Sequence, residues 1–444
     1  MDTARQLITQ MANGQLTSEA LVRHCLDVIE KTDGQIQAWV HVDGDRALQQ
    51  AQEMDLRRAQ GKTLGVLHGI PVGLKDIVDT QDMPTQRGTP VYKDRQPDSH
   101  AAIVEKLIEA GAVILGKTVT TEFAWMNESS TRNPHNLAHT PGGSSSGSAA
   151  AVAAGQVPLA IGTQTGGSVI RPASFNGVYG YKPSRGMISR RGVMQTSPTL
   201  DQIGVFGRDA GDLALITDAI KGYDASDSMS YLAPRPAVRS GYESDVPVDP
   251  HFVWIDMPYS DRYSESLKAA GEEVLAAIDD SDATIDRIDA PKSFVALIEC
   301  HKVIYDFEIL KSLDNEWNNH RDQLSEVARA GLQRAEARTE DEYAEAVGVM
   351  QAANTWFDTF FHDYDAIVTP SAIGIAPPLG SGTGDPIACI TWTLCGLPCV
   401  SLPLLSGELD MPMGLQLVGC HDRDDRLLRT TRWLVNELTG NNAT

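Results

Sequence analysis

Residues 146–163 read SGSAAAVAAGQVPLAIGT. The first ten are small, Ala-rich and end at Gly155, which predicts a tightly packed helix with a glycine stop. Leu159–Thr163 is a short apolar run, which predicts a buried strand. The same alternation occurs upstream. AAIVEKLIEAGAVILGK (101–117) reads as a helix stopped near Gly111, followed by a strand over Ala112–Leu115. Helices and strands alternating at this pitch imply an α/β sheet with helices on its faces. Outward from there, LTSEALVRHCLDVIEK (16–31) predicts a helix capped by Thr17 or Ser18, with a second helix near ALQQAQEMDLRRA (47–59). GVLHGIPVGLKDIVDT (65–80) predicts strands and turns. Residues 260–360 are charged and mostly helical, and YDAIVTPS, GLPCVSLPLL and MGLQLVG return to strand character.

Length alone, at roughly 150 residues per domain, allows up to three domains. No linker divides the 444 residues cleanly, and 222–250 is the one long loop expected. The expected organisation is therefore a single large α/β/α domain over 1–444, a mixed twisted β-sheet covered by helices. Within it, 1–60 supplies N-terminal helices and 61–220 a catalytic core. Residues 221–360 form a variable, mostly helical acidic region, and 361–444 the C-terminal part of the sheet.

With 42% hydrophobic and 22% charged residues, the composition is that of a packed globular protein. The net charge of −22 argues against nucleic acid or an anionic membrane as partner. The charge is unevenly spread. Residues 201–350 hold 31 acidic and 14 basic side chains, whereas 151–200 hold no acid and five bases: Arg171, Lys182, Arg185, Arg190 and Arg191. The polar start MDTARQLITQ has no signal-peptide pattern, and the longest apolar run, Cys389–Leu405, is broken by Gly396, Pro398 and Pro403. Six cysteines without CxxC spacing read as reduced thiols, so a cytoplasmic location is expected.

Three segments carry chemistry. HTPGGSSSGSAAAVAAG (139–155) lacks the Lys-Ser/Thr of a phosphate-binding loop. It matches a nucleophile elbow by letter at Gly143-x-Ser145-x-Gly147, but that elbow requires a preceding strand, which NPHNLAHTP does not provide. His135 and His139 stand four apart between Pro134 and Pro141 and read as loop histidines rather than zinc ligands. In GTQTGGSVIRPASFNGVYGYKPS (162–184), Ser168 follows two glycines after an apolar strand. That arrangement suits either a Gly-rich strand–loop junction or a turn whose N–H groups receive an oxyanion. Lys75, in GLKDIVD, sits among apolar and Gly residues, where burial lowers a lysine pKa and makes a neutral amine available as a base.

Lys75, the GGSSSGS run and the TGGSVIRPA run, in this order, closely resemble the amidase signature family, in its compact malonamidase-like amidase/carbamate hydrolase subgroup. LTSEALVRHCLDVIE, GIPVGLKD, GVYGYKPSRGMIS, YDAIVTPS, CGLPCVSLPL and MGLQLVGCHDRDDRLL extend the resemblance from about residue 17 to 432, weakest over 220–360. The resemblance implies a Ser–cisSer–Lys triad with Ser168 as nucleophile, Ser144 on a cis peptide bond as bridge and Lys75 as general base. It also implies an oxyanion hole from Thr165, Gly166, Gly167 and Ser168, support from Ser145 and Gln164, and no metal or cofactor. A homodimer is consistent with it. Many members carry Asp at the position of Gln164 and an Arg two residues past the nucleophile. Here Arg171 is three past it. Arg171 thus has two open readings: binding a substrate acyl group, or bracing the loop by pairing with an acid from 201–350.

The expected function is hydrolysis of C–N bonds in small or medium amides through a Ser168 acyl-enzyme. Carbamate (urethane) or urea-type hydrolysis, with esterase activity alongside, is the alternative on the same triad. The glutaminase subunit of a tRNA-dependent amidotransferase and a non-catalytic binding protein rank below it. Pocket walls are expected from the N-terminal helices, the 120–140 loop and residues 200–350.

Overall fold

A computed structural model describes residues 1–440. One mixed sheet of eleven strands runs through it. The strands are β1 (Trp39–Val42), β2 (Pro71–Lys75), β3 (Val113–Thr118), β4 (Leu159–Gln164), β5 (Tyr179–Lys182), β6 (Gln202–Gly207), β7 (His251–Asp256), β8 (Thr284–Asp289), β9 (Ala366–Pro370), β10 (Cys399–Ser406) and β11 (Pro412–Val418). Their spatial order is β1-β3-β2-β4-β6-β5-β10-β11-β9-β7-β8. β2 is parallel to both β3 and β4, whereas β4–β6–β5–β10–β11–β9 are joined antiparallel.

Both faces of the sheet are covered. Side chains alternate along a strand, and in β7 Phe252 and Trp254 enter one apolar cluster while Val253 and Ile255 enter another. The first cluster takes Leu213 and Ile216 from the helix Ala210–Ile220 and Leu427 and Leu434 from Asp424–Thr439. The second takes Leu297 and Ile304 from Phe294–Ser312, Phe357 from Glu340–Phe360 and Trp392 from Ile387–Leu394. This is the expected α/β/α layering.

Local sequence signals fix several element ends. Thr17 caps the helix Ser18–Ile36 by accepting from the Ala20 N–H, and Asp43 caps Gly44–Ala59 through the Arg46 N–H. The small-residue helix spans Ser146–Ala153. Its smallness has a packing cause: a Cβ on Gly147 would fall 2.1 Å from the Ala38 carbonyl oxygen and 2.4 Å from the Val119 nitrogen.

Two expectations are corrected. Residues 1–60 are not helical throughout, because β1 lies among them, paired to β3 at the sheet edge. The expected loop 222–250 carries a short helix, Val238–Glu243, and the mostly helical acidic region 221–360 also supplies β7 and β8, which close the opposite edge. Both edges bury only part of each strand, so their apolar pattern is weak: β8 is half exposed along its length. All six cysteines are free, five buried and Cys420 half-buried.

Candidate active site

Lys75 ends β2 in the middle of the parallel part of the sheet and is fully buried. Its Nζ lies 2.7 Å from Ser144 Oγ and 2.7 Å from Thr163 Oγ1 on the neighbouring β4. Burial pushes the Lys75 pKa down to about 7, with the Asp201 carboxylate pulling in the opposite direction. An amine in that range is substantially neutral near pH 7.

Ser144 opens the turn before the Ser146–Ala153 helix, and the Gly143–Ser144 peptide is cis. The other serines of the run are tied to the scaffold. Ser145 Oγ donates to the Thr163 carbonyl and accepts from the Thr163 N–H, each at 3.2 Å. Ser146 Oγ donates to the Gly142 carbonyl and Ser148 Oγ to the Ile161 carbonyl, both at 2.8 Å. A hydroxyl clamped on both sides, with no strand before it, does not make a nucleophile elbow at Ser145.

Ser168 lies between the end of β4 and the helix Ile170–Asn176, on the wall of a cavity of about 290 Å³. The turn Thr165–Ser168 lines this cavity, and the carbonyls of Thr165, Gly166 and Gly167 are held from behind. Thr165 O accepts from His301 Nε2 at 2.7 Å, Gly166 O from Thr393 Oγ1 at 2.6 Å, and Gly167 O from the Arg171 N–H at 2.9 Å. The Thr165 hydroxyl donates to Asp201, whose carboxylate also accepts the Thr196 and Ser197 N–H groups. A Cβ on Gly167 would come within 3.3 Å of Pro386 and Cys389, so the turn packs directly on the helix behind it. No acceptor among the described residues pairs with the N–H groups of Gly166, Gly167 or Ser168.

Gln164 braces the turn from both ends of its amide. Its Oε1 accepts the N–H groups of Val169 (2.8 Å) and Ile170 (3.0 Å), at the start of the helix after the turn. Its Nε2 donates to Thr393 Oγ1 at 2.9 Å, a bond no carboxylate can make.

Arg171 is buried and forms no ion pair among the described residues, so the acid expected from 201–350 is not its partner. It binds neutral acceptors instead: Nη1 reaches the Gly384 carbonyl at 2.6 Å, and Nη2 the Gly143 carbonyl at 2.6 Å and Thr383 Oγ1 at 3.2 Å. The physical reason is its position. The Gly143 carbonyl belongs to the cis peptide that carries Ser144, so the guanidinium ties the two Gly/Ser runs together. Burial lowers the Arg171 pKa to about 10, and its Nε is buried without a partner.

The cavity walls come from Trp125 and Met126, from Ile298 to Asp306, and from Thr383 to Ile390. The N-terminal helices, expected in the wall, contribute none of its residues, because they pack into the first apolar cluster. Thr163, Asp201, His301 and Thr393 are site residues that sequence reasoning missed. Thr163 had a usable signal, two residues before Thr165 on the strand feeding the turn; the others have none. His135 and His139 each hydrogen-bond a backbone carbonyl, of Asn176 and Ala376 respectively.

A sequence model of the amidase family matches residues 20–428. The chain belongs to the amidase family. Its similarity to the A-subunit of glutamyl-tRNA(Gln) amidotransferase from Moorella thermoacetica is 34% identity, over 94% of this chain and 92% of that protein. The corresponding protein from Streptomyces coelicolor is 33% identical over 96% and 94%. Among solved structures, a protein from a vestigial complex that bears on the origins of an s-triazine catabolic enzyme superposes with a TM-score of 0.92 at 26% identity, covering 99% of each chain. Native peptide amidase from Stenotrophomonas maltophilia gives 0.86 at 26% identity, covering 98% of this chain and 97% of that one. The amidase family places this protein among hydrolases of amide C–N bonds. No helix of the described residues is long and apolar enough to cross a membrane.

Proposed function

We propose that this amidase hydrolyses small amides through an acyl-enzyme on Ser168, with Ser144 as the bridge and Lys75 as the base. The observation that carries the reading is the buried Lys75 Nζ at 2.7 Å from Ser144 Oγ, on the cis peptide whose Gly143 carbonyl is held by Arg171, which lines the cavity together with Ser168. Neutral Lys75 takes the Ser144 proton as Ser144 takes that of Ser168, and Ser168 Oγ attacks the substrate carbonyl. The N–H groups of the Thr165–Ser168 turn receive the oxyanion. Ser144 and Lys75 then return the proton to the departing amine, and water releases the acyl group by the same route. Arg171 acts in this scheme by holding the Gly143 carbonyl, and Ser145 and Gln164 by fixing Thr163 and the turn. Carbamates and esters present the same carbonyl to the same triad. The cavity, at the low end of the usual ligand-pocket range of about 300–1,000 Å³, favours small acyl groups.

A second reading rests on the relatives, which are amidotransferase subunits matching over nearly the whole chain. On that reading the substrate is glutamine and activity requires partner subunits. One experiment separates the two: purified protein alone, without metal, assayed on amides, carbamates, esters and glutamine. Turnover of simple amides or carbamates supports the independent hydrolase. Inactivity on the whole panel, with glutaminase activity appearing only on addition of partner subunits, would establish the second reading.

A further inference from the structure

His301 is 6% exposed, yet it lines the Ser168 cavity from the helix Phe294–Ser312. Its Nε2 sits 2.7 Å from the Thr165 carbonyl oxygen, which can only accept, so Nε2 carries the ring proton. Burial lowers the His301 pKa and keeps the ring neutral, against the smaller opposing effects of the Thr165 bond and Asp306. In that tautomer Nδ1 is a lone-pair acceptor. No described residue pairs with Nδ1. Nor is it one of the fully buried side-chain atoms left without a partner, and the residue that carries it lines the cavity.

The ring rests directly on the catalytic turn. A Cβ on Gly166 would lie 3.7 Å from its Cε1 and 3.8 Å from its Nε2. The neighbouring carboxylates are already engaged: Asp306 with Arg334 and Arg338, Glu299 with Arg338. The turn beside it presents the unpaired N–H groups of Gly166, Gly167 and Ser168. Nδ1 is therefore a fixed acceptor next to a row of donors.

We propose that His301 is a substrate-reading residue whose Nδ1 accepts a hydrogen bond from an N–H in the acyl part of the substrate, so that the favoured substrates are acylamino amides. The proposal rests on the reading of Ser168 as nucleophile. A substrate lacking that N–H leaves a buried acceptor unpaired, which is where such sites gain their discrimination.

The test uses two substrates that differ by one group, N-acetylglycinamide and 4-oxopentanamide, in which a methylene replaces the N–H. The wild-type protein is expected to favour the first by about tenfold or more in kcat/KM. His301→Gln keeps a donor for Thr165 and removes Nδ1. It should bring the two substrates level, chiefly by raising KM for N-acetylglycinamide. His301→Leu removes both bonds and should also lower kcat on both substrates. Equal use of the pair by the wild type, or a preference that survives in His301→Gln, would overturn the proposal. Failure to turn over either amide by a protein that a fluorophosphonate labels at Ser168 would overturn it too. Absence of that labelling would instead sink the Ser168 reading underneath.

Discussion

The segment that carries Ser168 and the helical wall of the cavity differ in where their carboxylates come from. Residues 151–200 carry no acid, and apart from Thr165 on Asp201 the polar side chains around the turn pair through neutral acceptors: Ser145 with Thr163, Gln164 with Thr393, Arg171 with carbonyls. The wall uses carboxylates freely. Asp306 pairs with Arg334 at 2.8 Å, and Glu308 accepts from Thr199 and from the Tyr343 hydroxyl. The difference follows from Lys75. A carboxylate buried nearby favours its ammonium form, and Asp201 already pulls in that direction. Burial keeps the amine neutral, and a segment without acids adds no further carboxylate from its own residues.

The sharpest way to break this contrast is to remove the machinery on its catalytic side. Ser168→Ala and Lys75→Ala should each lower kcat by about 10⁴-fold or more, and Ser168→Ala should abolish fluorophosphonate labelling while Ser145→Ala keeps it. Label found on Ser145 would reverse the assignment. Next in size is Arg171→Met, which frees the Gly143 carbonyl. It should cost about 10²-fold in kcat on every substrate and lower Tm, with Arg171→Lys recovering part of both. A rise in KM confined to acyl groups bearing a carboxylate would show that Arg171 reads substrate instead.

Electrostatic separation itself is tested by pH. Only neutral Lys75 accepts a proton, so kcat/KM should rise with pH through a midpoint near 7 and be lost as pH falls below it. Gln164→Glu places a carboxylate in the acid-free segment, which favours the ammonium and should move that midpoint to higher pH. At pH 7 the expected loss is about tenfold, and an unmoved midpoint would show that the absence of acid has no bearing on Lys75. The smallest effect belongs to the wall. Trp125 meets Tyr305 edge to face at 5.9 Å, and Trp125→Phe should change KM by less than about tenfold while leaving kcat and the pH midpoint in place.

Much of this was legible in the sequence, for reasons that differ by residue. Thr17 as a cap, the helix ending before Gly155 and the strand Leu159–Gln164 follow from neighbours three or four residues apart. Lys75, Ser144 and Ser168 were found because their segments resemble those of a known family; composition alone left the Gly-rich turn open. Arg171 was singled out, but its partners were not. Carbonyls 28 and 213 residues away leave no mark in a sequence, since every residue has one.

The amino-acid sequence by itself determined the alternation of helices and strands, the caps, the family and the clearing of acids from one segment, because these depend on covalent neighbours and on side-chain chemistry. Only the tertiary structure decided the order of eleven strands, the depth at which Lys75 is buried, and the arrival of His301 and Thr393 from 136 and 227 residues away to hold the turn. The reason is physical. On the proposed mechanism a lysine becomes a base, and a glycine turn an oxyanion site, through desolvation and through the partners that close around it, and both are set by packing between segments distant in the chain.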